Sequence, residues 1–297
     1  EDMGLVERAW VFRYYVDHHG GLELTPGYYR LRPFDHMGNL MRALRTPPSE
    51  TYTKVTFPEG YTYEKMGQRL ADKVPRLSPA LFGSAATDGS VTSKYLPEGQ
   101  ASLEGLLFPD TYQVSNGESE EQVVQRMVDL FERVGSQVGL DDAPNVVGRT
   151  PYEVIIVASI IEREAKVPED RAKIAKVIYN RLALGMPLQV DATLFYQQDD
   201  TLPFDELKAI DTLYNTYLHT GLPPTPIANP GRASLEAAMN PAPNPSKGDP
   251  ICKGLPTGTP CEYLFYVIAD ADGRHAFAAT IEQHEANVQA ARDKGLL

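Results

Sequence analysis

The chain has 297 residues, of which 42% are hydrophobic, a composition ordinary for a soluble globular protein with one large domain or two smaller ones. Its 28 Lys and Arg residues stand against 40 Asp and Glu residues. The net charge of −12 argues against nucleic acid as the main partner and favours a neutral or zwitterionic substrate. No window of about 18 apolar residues is present and the chain starts without a signal-peptide pattern, so we expect any membrane anchor or export signal to lie upstream of this sequence.

The first 90 residues predict small alternating units of helix and strand. Apolar periodicity and β-branched runs predict helices over residues 5–18, 35–44 and 62–74 and strands over 28–31 and 51–57. Asp35 is the expected N-cap of the second helix. A passage rich in Gly, Ser and Thr at 83–93 predicts a domain boundary. The chain is therefore expected to form an N-terminal module over 1–90 and a larger domain over 91–297.

The rest of the chain predicts a mixed domain built around one buried helix. Its patterns predict helices over residues 118–138, 152–166 and 169–184, a proline-rich loop region over 202–260, strands over 263–268 and 275–279, and a final helix from Ile281. The middle helix is apolar on all sides, and Pro168 forces its end because the residue before a proline avoids helical geometry. The expected fold class is α+β, with a buried central helix and a C-terminal β-hairpin covered by a helix.

The two cysteines, Cys252 and Cys261, flank a loop rich in Gly, Pro and Thr. In an oxidising compartment they could close a short disulfide, whereas in the cytosol they would be two unrelated buried thiols. Two cysteines without a nearby histidine do not make a zinc site, and no P-loop or dinucleotide fingerprint is present. The sequence therefore predicts neither a metal nor a cofactor.

Two carboxylates, Glu162 and Glu164, follow directly on the apolar run 154–161. Carboxylates are rarely buried unless they are paired or functional. A helix C-terminus and apolar neighbours both disfavour the negative charge of Glu162, which suits a general acid that must hold a proton near neutral pH. Helical geometry directs Glu164 to the opposite side. The alternative is that Glu162 is a structural glutamate paired with an arginine.

A second unusual segment carries Glu104 and Asp110 on either side of an apolar, aromatic run. Either carboxylate could complete a site with the first segment. The alternative is a strand that enters a turn, with Asp110 capping the turn, and this alternative is favoured for Asp110.

Polar groups in two further segments suit recognition of a sugar. Gln189, Asp191 and Thr193 share one face if their segment is extended, and together they offer hydrogen-bond donors and acceptors. The alternative is that Asp191 or Thr193 caps a helix. Asn215 and Tyr217 precede a rigid proline-rich stretch, where an amide can bind an N-acetyl group and an aromatic plane can stack on a pyranose ring. The alternative there is plain loop packing.

Six motifs, in their order along the chain, resemble the YceG-like family of endolytic murein transglycosylases. They are Glu104-Gly-Leu-Leu-Phe-Pro-Asp-Thr-Tyr112, Ala158-Ser-Ile-Ile-Glu-Arg-Glu164, Val177-Ile-Tyr-Asn-Arg-Leu182, Gly185-Met-Pro-Leu-Gln-Val-Asp-Ala-Thr193, Tyr214-Asn-Thr-Tyr217 and Gly221-Leu-Pro-Pro-Thr-Pro-Ile-Ala228. The resemblance covers residues 27–297 and is strongest over 103–228. Departures are Ala192, Arg163 and the insert that holds the two cysteines.

The resemblance implies a bacterial lyase that acts on peptidoglycan outside the cytoplasm, with a LysM-like module followed by a catalytic domain. The chain would be the soluble part of a single-pass membrane protein at the extracytoplasmic face, reaching the membrane only through an anchor absent from this sequence. Glycan strands are the implied partner, cell-wall synthesis or division proteins are candidate partners, and no nucleic acid is implied.

The resemblance assigns the catalytic acid to the first glutamate of its motif, Glu162. This residue would protonate the β-1,4 glycosidic oxygen between N-acetylmuramic acid and N-acetylglucosamine and then, as a base, take the proton of the muramyl 6-hydroxyl to leave a 1,6-anhydro end. One carboxyl suffices because the nucleophile belongs to the substrate. Glu104, Gln189, Asp191, Thr193, Asn215 and Tyr217 are expected to bind the glycan. The alternatives are a muramidase-type hydrolase, with Glu104 or Asp191 activating water, and a non-catalytic glycan-binding or division scaffold.

Overall fold

The computed structural model describes residues 5–6, 8–24, 29, 31–33, 35–46, 52–198 and 201–297. Its elements are, in chain order, α1 (Ala9–His18), α2 (Met37–Arg45), β1 (Tyr52–Thr56), α3 (Tyr63–Lys73), α4 (Pro79–Thr87), β2 (Thr111–Ser115), α5 (Glu120–Val138), α6 (Ala143–Val146), α7 (Pro151–Glu164), α8 (Arg171–Ala183), α9 (Asp191–Leu194), α10 (Phe204–Ala209), α11 (Arg232–Met239), β3 (Phe265–Ile268), β4 (His275–Ala278) and α12 (Ile281–Asp293). Helices with small two-stranded sheets confirm the α+β class. Residues 28 and 30 of the strand predicted over 28–31 lie outside the described residues, and residues 29 and 31 are not assigned to a strand. In the described ranges, no helix has the length and apolarity needed to cross a bilayer.

Strands β1 and β2 form an antiparallel pair that is connected by α3 and α4. Val55 lies opposite Tyr112 in this pair, and both side chains are buried. The side chain of Thr62 accepts a hydrogen bond from the backbone N–H of Lys65, so the chain leaves β1 and begins α3 at the predicted place. α3 and α4 pack against each other. The result is a compact β-α-α-β unit.

This unit extends past the predicted domain boundary at 83–93. α4 overlaps that passage, and Ala86 and Val91 are buried instead of lying in a polar linker. One cluster of buried apolar side chains contains residues of the β-α-α-β unit and of α7. Because β2 pairs with β1, a unit defined by this sheet reaches Ser115. The division of the chain at residue 90 and the LysM-like character of the module stay predictions.

Helix α7 is the buried central helix that the sequence predicts. Thr150 and Glu153 form a capping box, in which each side chain accepts a hydrogen bond from the backbone N–H of the other residue, and Pro151 occupies the first turn. The side chains over 154–161 are all buried, and α8 and α11 pack against the helix. The helix ends at Glu164, two residues before its predicted end, and so carries its last carboxylates to the edge of the core.

The C-terminal part forms the predicted hairpin and covering helix. Phe265 lies opposite Ala278, and α12 packs against both strands. Cys252 and Cys261 form a disulfide in the loop region before the hairpin, which confirms the first of the two alternatives for the cysteines. The hairpin lies beside α8 and so faces the C-terminal end of α7.

Candidate active site

An open cleft of about 470 Å³ lies where the end of α7, the segment leading into α9, the β3–β4 hairpin and α12 meet. Polar and aromatic side chains from these segments line the cleft, namely Glu164, Arg181, Gln189, Asp191, Tyr217, Tyr266, His275 and His284. Carboxylates, an amide and aromatic rings in one concave surface provide acceptors, donors and stacking planes for a polar ligand. This cleft is the candidate site.

Two other cavities are lined by fewer side chains that could bind or react with a ligand. One of about 500 Å³ beside α5 is lined by Glu118 and Arg126, and their charged groups pair with each other at 2.7 Å. A smaller one of about 230 Å³ lies against α9 and is bordered by surface charges that include Lys65 and Arg163. Within the described ranges, no group of three His, Cys, Asp or Glu side chains is placed to hold a metal ion.

Glu164 reaches the cleft from the last position of α7. One carboxylate oxygen accepts a hydrogen bond from the hydroxyl of Tyr266 at 3.0 Å, and the other accepts one from the backbone N–H of Ala192 at 3.4 Å. Burial raises the pKa of Glu164 to about 7, and the charge of Asp191 adds to the rise while the Tyr266 hydrogen bond opposes it. Near neutral pH this carboxyl group can therefore either donate or accept a proton.

Glu162 points away from the cleft toward the N-terminus of α11. Its carboxylate accepts hydrogen bonds from the backbone N–H of Gly231 at 3.0 Å and from the hydroxyl of Ser234 at 2.7 Å. A carboxylate at this position is stabilised by the positive end of the helix dipole. The expected acid thus joins α7 to α11 and does not line the cleft, because the two glutamates lie on different sides of the helix.

Three of the predicted glycan-binding residues do line the cleft. Asp191 begins α9 and accepts a hydrogen bond from the hydroxyl of Tyr217, so the two side chains are held together. Gln189 has a φ of 53°, which is unusual for a residue with a side chain, and its amide oxygen accepts a hydrogen bond from Arg181 at 3.1 Å. The Gln189 side chain is exposed on the cleft wall. These side chains are available to a ligand.

Glu104 is in the core and not at the cleft. It is fully buried and accepts hydrogen bonds from the side-chain amide of Asn229 at 2.8 Å, the hydroxyl of Tyr196 at 3.2 Å and the backbone N–H of Tyr63 at 3.3 Å. Burial raises the pKa of Glu104 to about 8, although the hydrogen bonds from Tyr63 and Tyr196 oppose the rise. Glu104 connects the start of α3 to two later loops and cannot contact a glycan there.

Thr193 and Asn215 are also buried and support the cleft from behind. The hydroxyl of Thr193 donates to the carbonyl of Val190 at 2.7 Å. Val190 is the N-cap of α9 and no side chain caps this helix, so the alternative that Asp191 or Thr193 is the cap was wrong. The side-chain amide of Asn215 donates to the carbonyls of Lys208 and Ile210 at 3.0 and 2.8 Å. Both side chains hold loops together, so the structure does not bring them to the ligand surface.

Comparison with known proteins agrees with the resemblance read from the motifs. The model of the YceG-like family matches residues 1–290. The chain belongs to the YceG-like family.

Relatives of this YceG-like chain are similar over most of its length. A Bacillus subtilis protein named endolytic murein transglycosylase is 28% identical over 296 residues, covering 94% of this chain and 76% of the relative. A Streptococcus pneumoniae protein of the same name is 28% identical over 319 residues, covering 97% of this chain and 54% of the relative, so the chain spans about half of that protein. The crystal structure of a YceG-like protein from Listeria monocytogenes shares the fold, with a TM-score of 0.64 and 28% identity over 96% of this chain and 92% of that chain.

Several residues at or beside the cleft are not among the site residues that the sequence predicted. Tyr266 comes from β3 and bonds Glu164 across 102 positions of sequence. Asp170 accepts a hydrogen bond from Nδ1 of His275 across 105 positions. The buried guanidinium of Arg181 donates to the carbonyls of Leu188 and Leu264, which ties the segment before α9 to the hairpin. The His-x-Phe alternation in β4 is a sequence signal for the histidine, but no local pattern indicates its partner.

Proposed function

We propose that this YceG-like chain is an endolytic peptidoglycan lytic transglycosylase whose proton donor is Glu164. The observation that carries the proposal is a carboxyl group with a pKa raised to about 7 at the edge of an open polar cleft. The naming of the Bacillus and pneumococcal relatives as endolytic murein transglycosylases supports the substrate class. This assignment replaces Glu162, whose carboxylate is occupied by the N-terminus of α11.

The reaction begins with the protonated form of Glu164. Its proton passes to the glycosidic oxygen between N-acetylmuramic acid and N-acetylglucosamine, and positive charge develops at C1 as that bond breaks. The oxygen of the muramyl 6-hydroxyl then bonds to C1, its proton passes to a base in the cleft, and a 1,6-anhydro end remains. The protein needs no nucleophile of its own, because the 6-hydroxyl of the substrate attacks C1. An ordinary glycosidase needs a second carboxylate, which attacks C1 itself or activates a water molecule.

Asp191 and Tyr217 are suited to the sugar that carries the developing charge. The two side chains are hydrogen-bonded to each other in the cleft, and the charge of Asp191 acts on Glu164 strongly enough to raise its pKa. A carboxylate in that position also stabilises an oxocarbenium-like state. Gln189 and the Tyr217 ring offer an amide and a stacking plane to neighbouring sugars.

The presence of Asp191 beside Glu164 also favours one competing function. In a muramidase-type hydrolase, Asp191 would activate a water molecule while Glu164 protonates the leaving oxygen. Glu104 cannot take this role because it is buried away from the cleft. The two reactions differ by one water in the mass of the product.

Digestion of purified glycan strands, followed by mass spectrometry of the fragments, tests the proposal. We expect anhydro ends from the parent chain and from Asp191→Asn, at a lower rate in the variant, and cleavage slowed about 10²- to 10⁴-fold in Glu164→Gln. Fragments heavier by one water would identify the hydrolase. Glycan binding by the parent without cleavage would identify a scaffold, and parent-like cleavage by Glu164→Gln would exclude Glu164 as the donor.

The proposed substrate lies outside the cytoplasm, and the disulfide between Cys252 and Cys261 agrees with an oxidising compartment. We include a single-pass membrane anchor, wall-synthesis or division partners and a glycan-binding role for the β-α-α-β unit in the proposal. Fractionation of cells that express the native gene tests the anchor, because a chain recovered without the membrane fraction would exclude it.

A further inference from the structure

Asp170 and His275 form a buried pair at the edge of the cleft. One carboxylate oxygen of Asp170 accepts hydrogen bonds from the backbone N–H of His275 at 2.7 Å and from its Nδ1 at 2.9 Å. The side chains of His275 and Asp170 are only 9% and 8% exposed. Because a carboxylate only accepts hydrogen bonds, Nδ1 carries the hydrogen, and Nε2 of the neutral ring is left as an acceptor.

The histidine of this pair belongs to the same cleft as Glu164. Both residues line the cleft, and Tyr266 lies between them. The Tyr266 hydroxyl bonds Glu164 at 3.0 Å, while its ring meets the His275 ring edge to face at a centroid distance of 5.4 Å. Among the described residues, no hydrogen bond to Nε2 of His275 is present. The acceptor nitrogen therefore belongs to a residue that lines the same cleft as the proposed acid, and no hydrogen bond of the described residues uses it.

The ring closure requires a proton acceptor as well as a proton donor. We propose that His275, oriented by Asp170, is the base that takes the proton of the muramyl 6-hydroxyl while Glu164 protonates the leaving oxygen. This inference rests on the proposed transglycosylase function. The bond from C1 to the leaving oxygen breaks, the bond from O6 to C1 forms, one proton leaves Glu164 and one arrives on Nε2. After product release the imidazolium returns its proton to Glu164 through solvent.

The geometry of Asp170 and His275 suits a base that accepts the 6-hydroxyl proton. The carboxylate of Asp170 holds the ring in one tautomer and stabilises the imidazolium that forms, as the aspartate does in a Ser-His-Asp triad. A separate base also lets both proton transfers occur as the ring closes, since the Glu164 carboxyl is held by Tyr266 and the N–H of Ala192 and need not turn from one oxygen to the other. The competing explanation is that His275 only packs against Tyr266 and anchors Asp170.

A matched pair of substitutions separates these explanations. Asparagine places its side-chain N–H near the position of Nδ1, so His275→Asn keeps a donor for Asp170 but has no base. We expect His275→Asn to have the same unfolding temperature as the parent chain. We expect it to form anhydro ends about 10²- to 10⁴-fold more slowly. A purely structural His275 predicts nearly parent-like cleavage by this variant, and that result would overturn the proposal.

Chemical rescue supplies the second measurement. Added imidazole should restore cleavage by His275→Ala at least about tenfold, because it replaces the missing base in the vacated space, and should not restore Glu164→Gln, which lacks the acid. Failure of imidazole to accelerate a folded His275→Ala variant would overturn the role of a base. If the parent chain forms no anhydro ends, the proposed function itself fails; if it forms them and both His275 variants match it, only the present inference fails.

Discussion

Glu162 and Glu164 are two positions apart on α7, but their side chains face different elements and have different hydrogen-bond partners. Glu162 faces α11, where Ser234 and the N–H of Gly231 satisfy its carboxylate as a charged group. Glu164 faces the cleft, where burial and the charge of Asp191 raise its pKa to about 7. The comparison teaches that the role of a helix-end carboxylate is set by the elements packed against its side of the helix.

Replacing each glutamate by glutamine tests most directly whether Glu162 and Glu164 have different roles. We expect Glu164→Gln to slow glycan cleavage about 10²- to 10⁴-fold, because the amide cannot donate the required proton. Glu162→Gln should keep nearly the parent rate. Rates of fragment release measured side by side check both, with equal far-ultraviolet circular dichroism spectra as the control for folding. If Glu162→Gln slowed cleavage and Glu164→Gln did not, the acid would be Glu162.

Glu104 tests whether a raised pKa by itself indicates catalysis. Its pKa is about 8 in the folded chain against 4.5 for an ordinary glutamate, so folding favours the protonated form. This contribution to stability is complete below the unfolded pKa and is lost as pH rises through about 8. The unfolding free energy should therefore fall between those values, by at most about 1.4 kcal/mol per pH unit for one carboxyl group.

Urea unfolding across this pH range provides the measurement. Glu104→Gln should flatten the decline up to about pH 8, and Glu164→Gln should remove only the part below about pH 7. Glu104→Gln should also retain cleavage activity, since the residue does not reach the cleft. An unchanged slope in Glu104→Gln would show that this carboxyl group is ionised in the core.

The structural role of Glu162 predicts a smaller effect on stability. Glu162→Gln weakens the hydrogen bonds to Gly231 and Ser234 and removes the charge at the helix N-terminus, while it relieves repulsion from Glu59, whose pKa is raised by burial and then by the charge of Glu162. We expect a net loss of about 1 kcal/mol in unfolding free energy. Ser234→Ala is the matched control. Equal stability of parent and Glu162→Gln would contradict the assigned role.

The smallest expected effect is a shift in the pH dependence of cleavage when the neighbours of Glu164 are changed. As the acid, Glu164 must be protonated, so cleavage should fall as pH rises through about 7. Tyr266→Phe removes a hydrogen bond that favours the carboxylate and should move this decline to higher pH, whereas Asp191→Asn removes a negative charge and should move it to lower pH. Profiles of kcat/KM against pH measure both shifts. Movement of both variants in the same direction would contradict Glu164 as the group that titrates.

Much of the fold was predictable because its signals are local. The capping box of Thr150 and Glu153 and the proline at 168 bound α7 within one or two residues, and alternation in the tail predicted the hairpin. The boundary predicted at 83–93 rests on small residues, which can form a packed helix as well as a linker, and α4 buries Ala86 there. Pairing of β1 with β2 is non-local, so composition did not indicate it.

The sequence by itself determined the family and the α+β class and predicted the short segment that carries the proposed acid, because these depend on residue order and on periodicities within one element. Only the tertiary structure separated the carboxylates by their surroundings. The packing of α11 occupies Glu162, the hairpin encloses Glu164, and the core withdraws Glu104 from the surface. The pairing of Asp170 with His275 depends likewise on how distant segments meet, since a carboxyl group's environment is made by the neighbours that folding brings within a few ångströms.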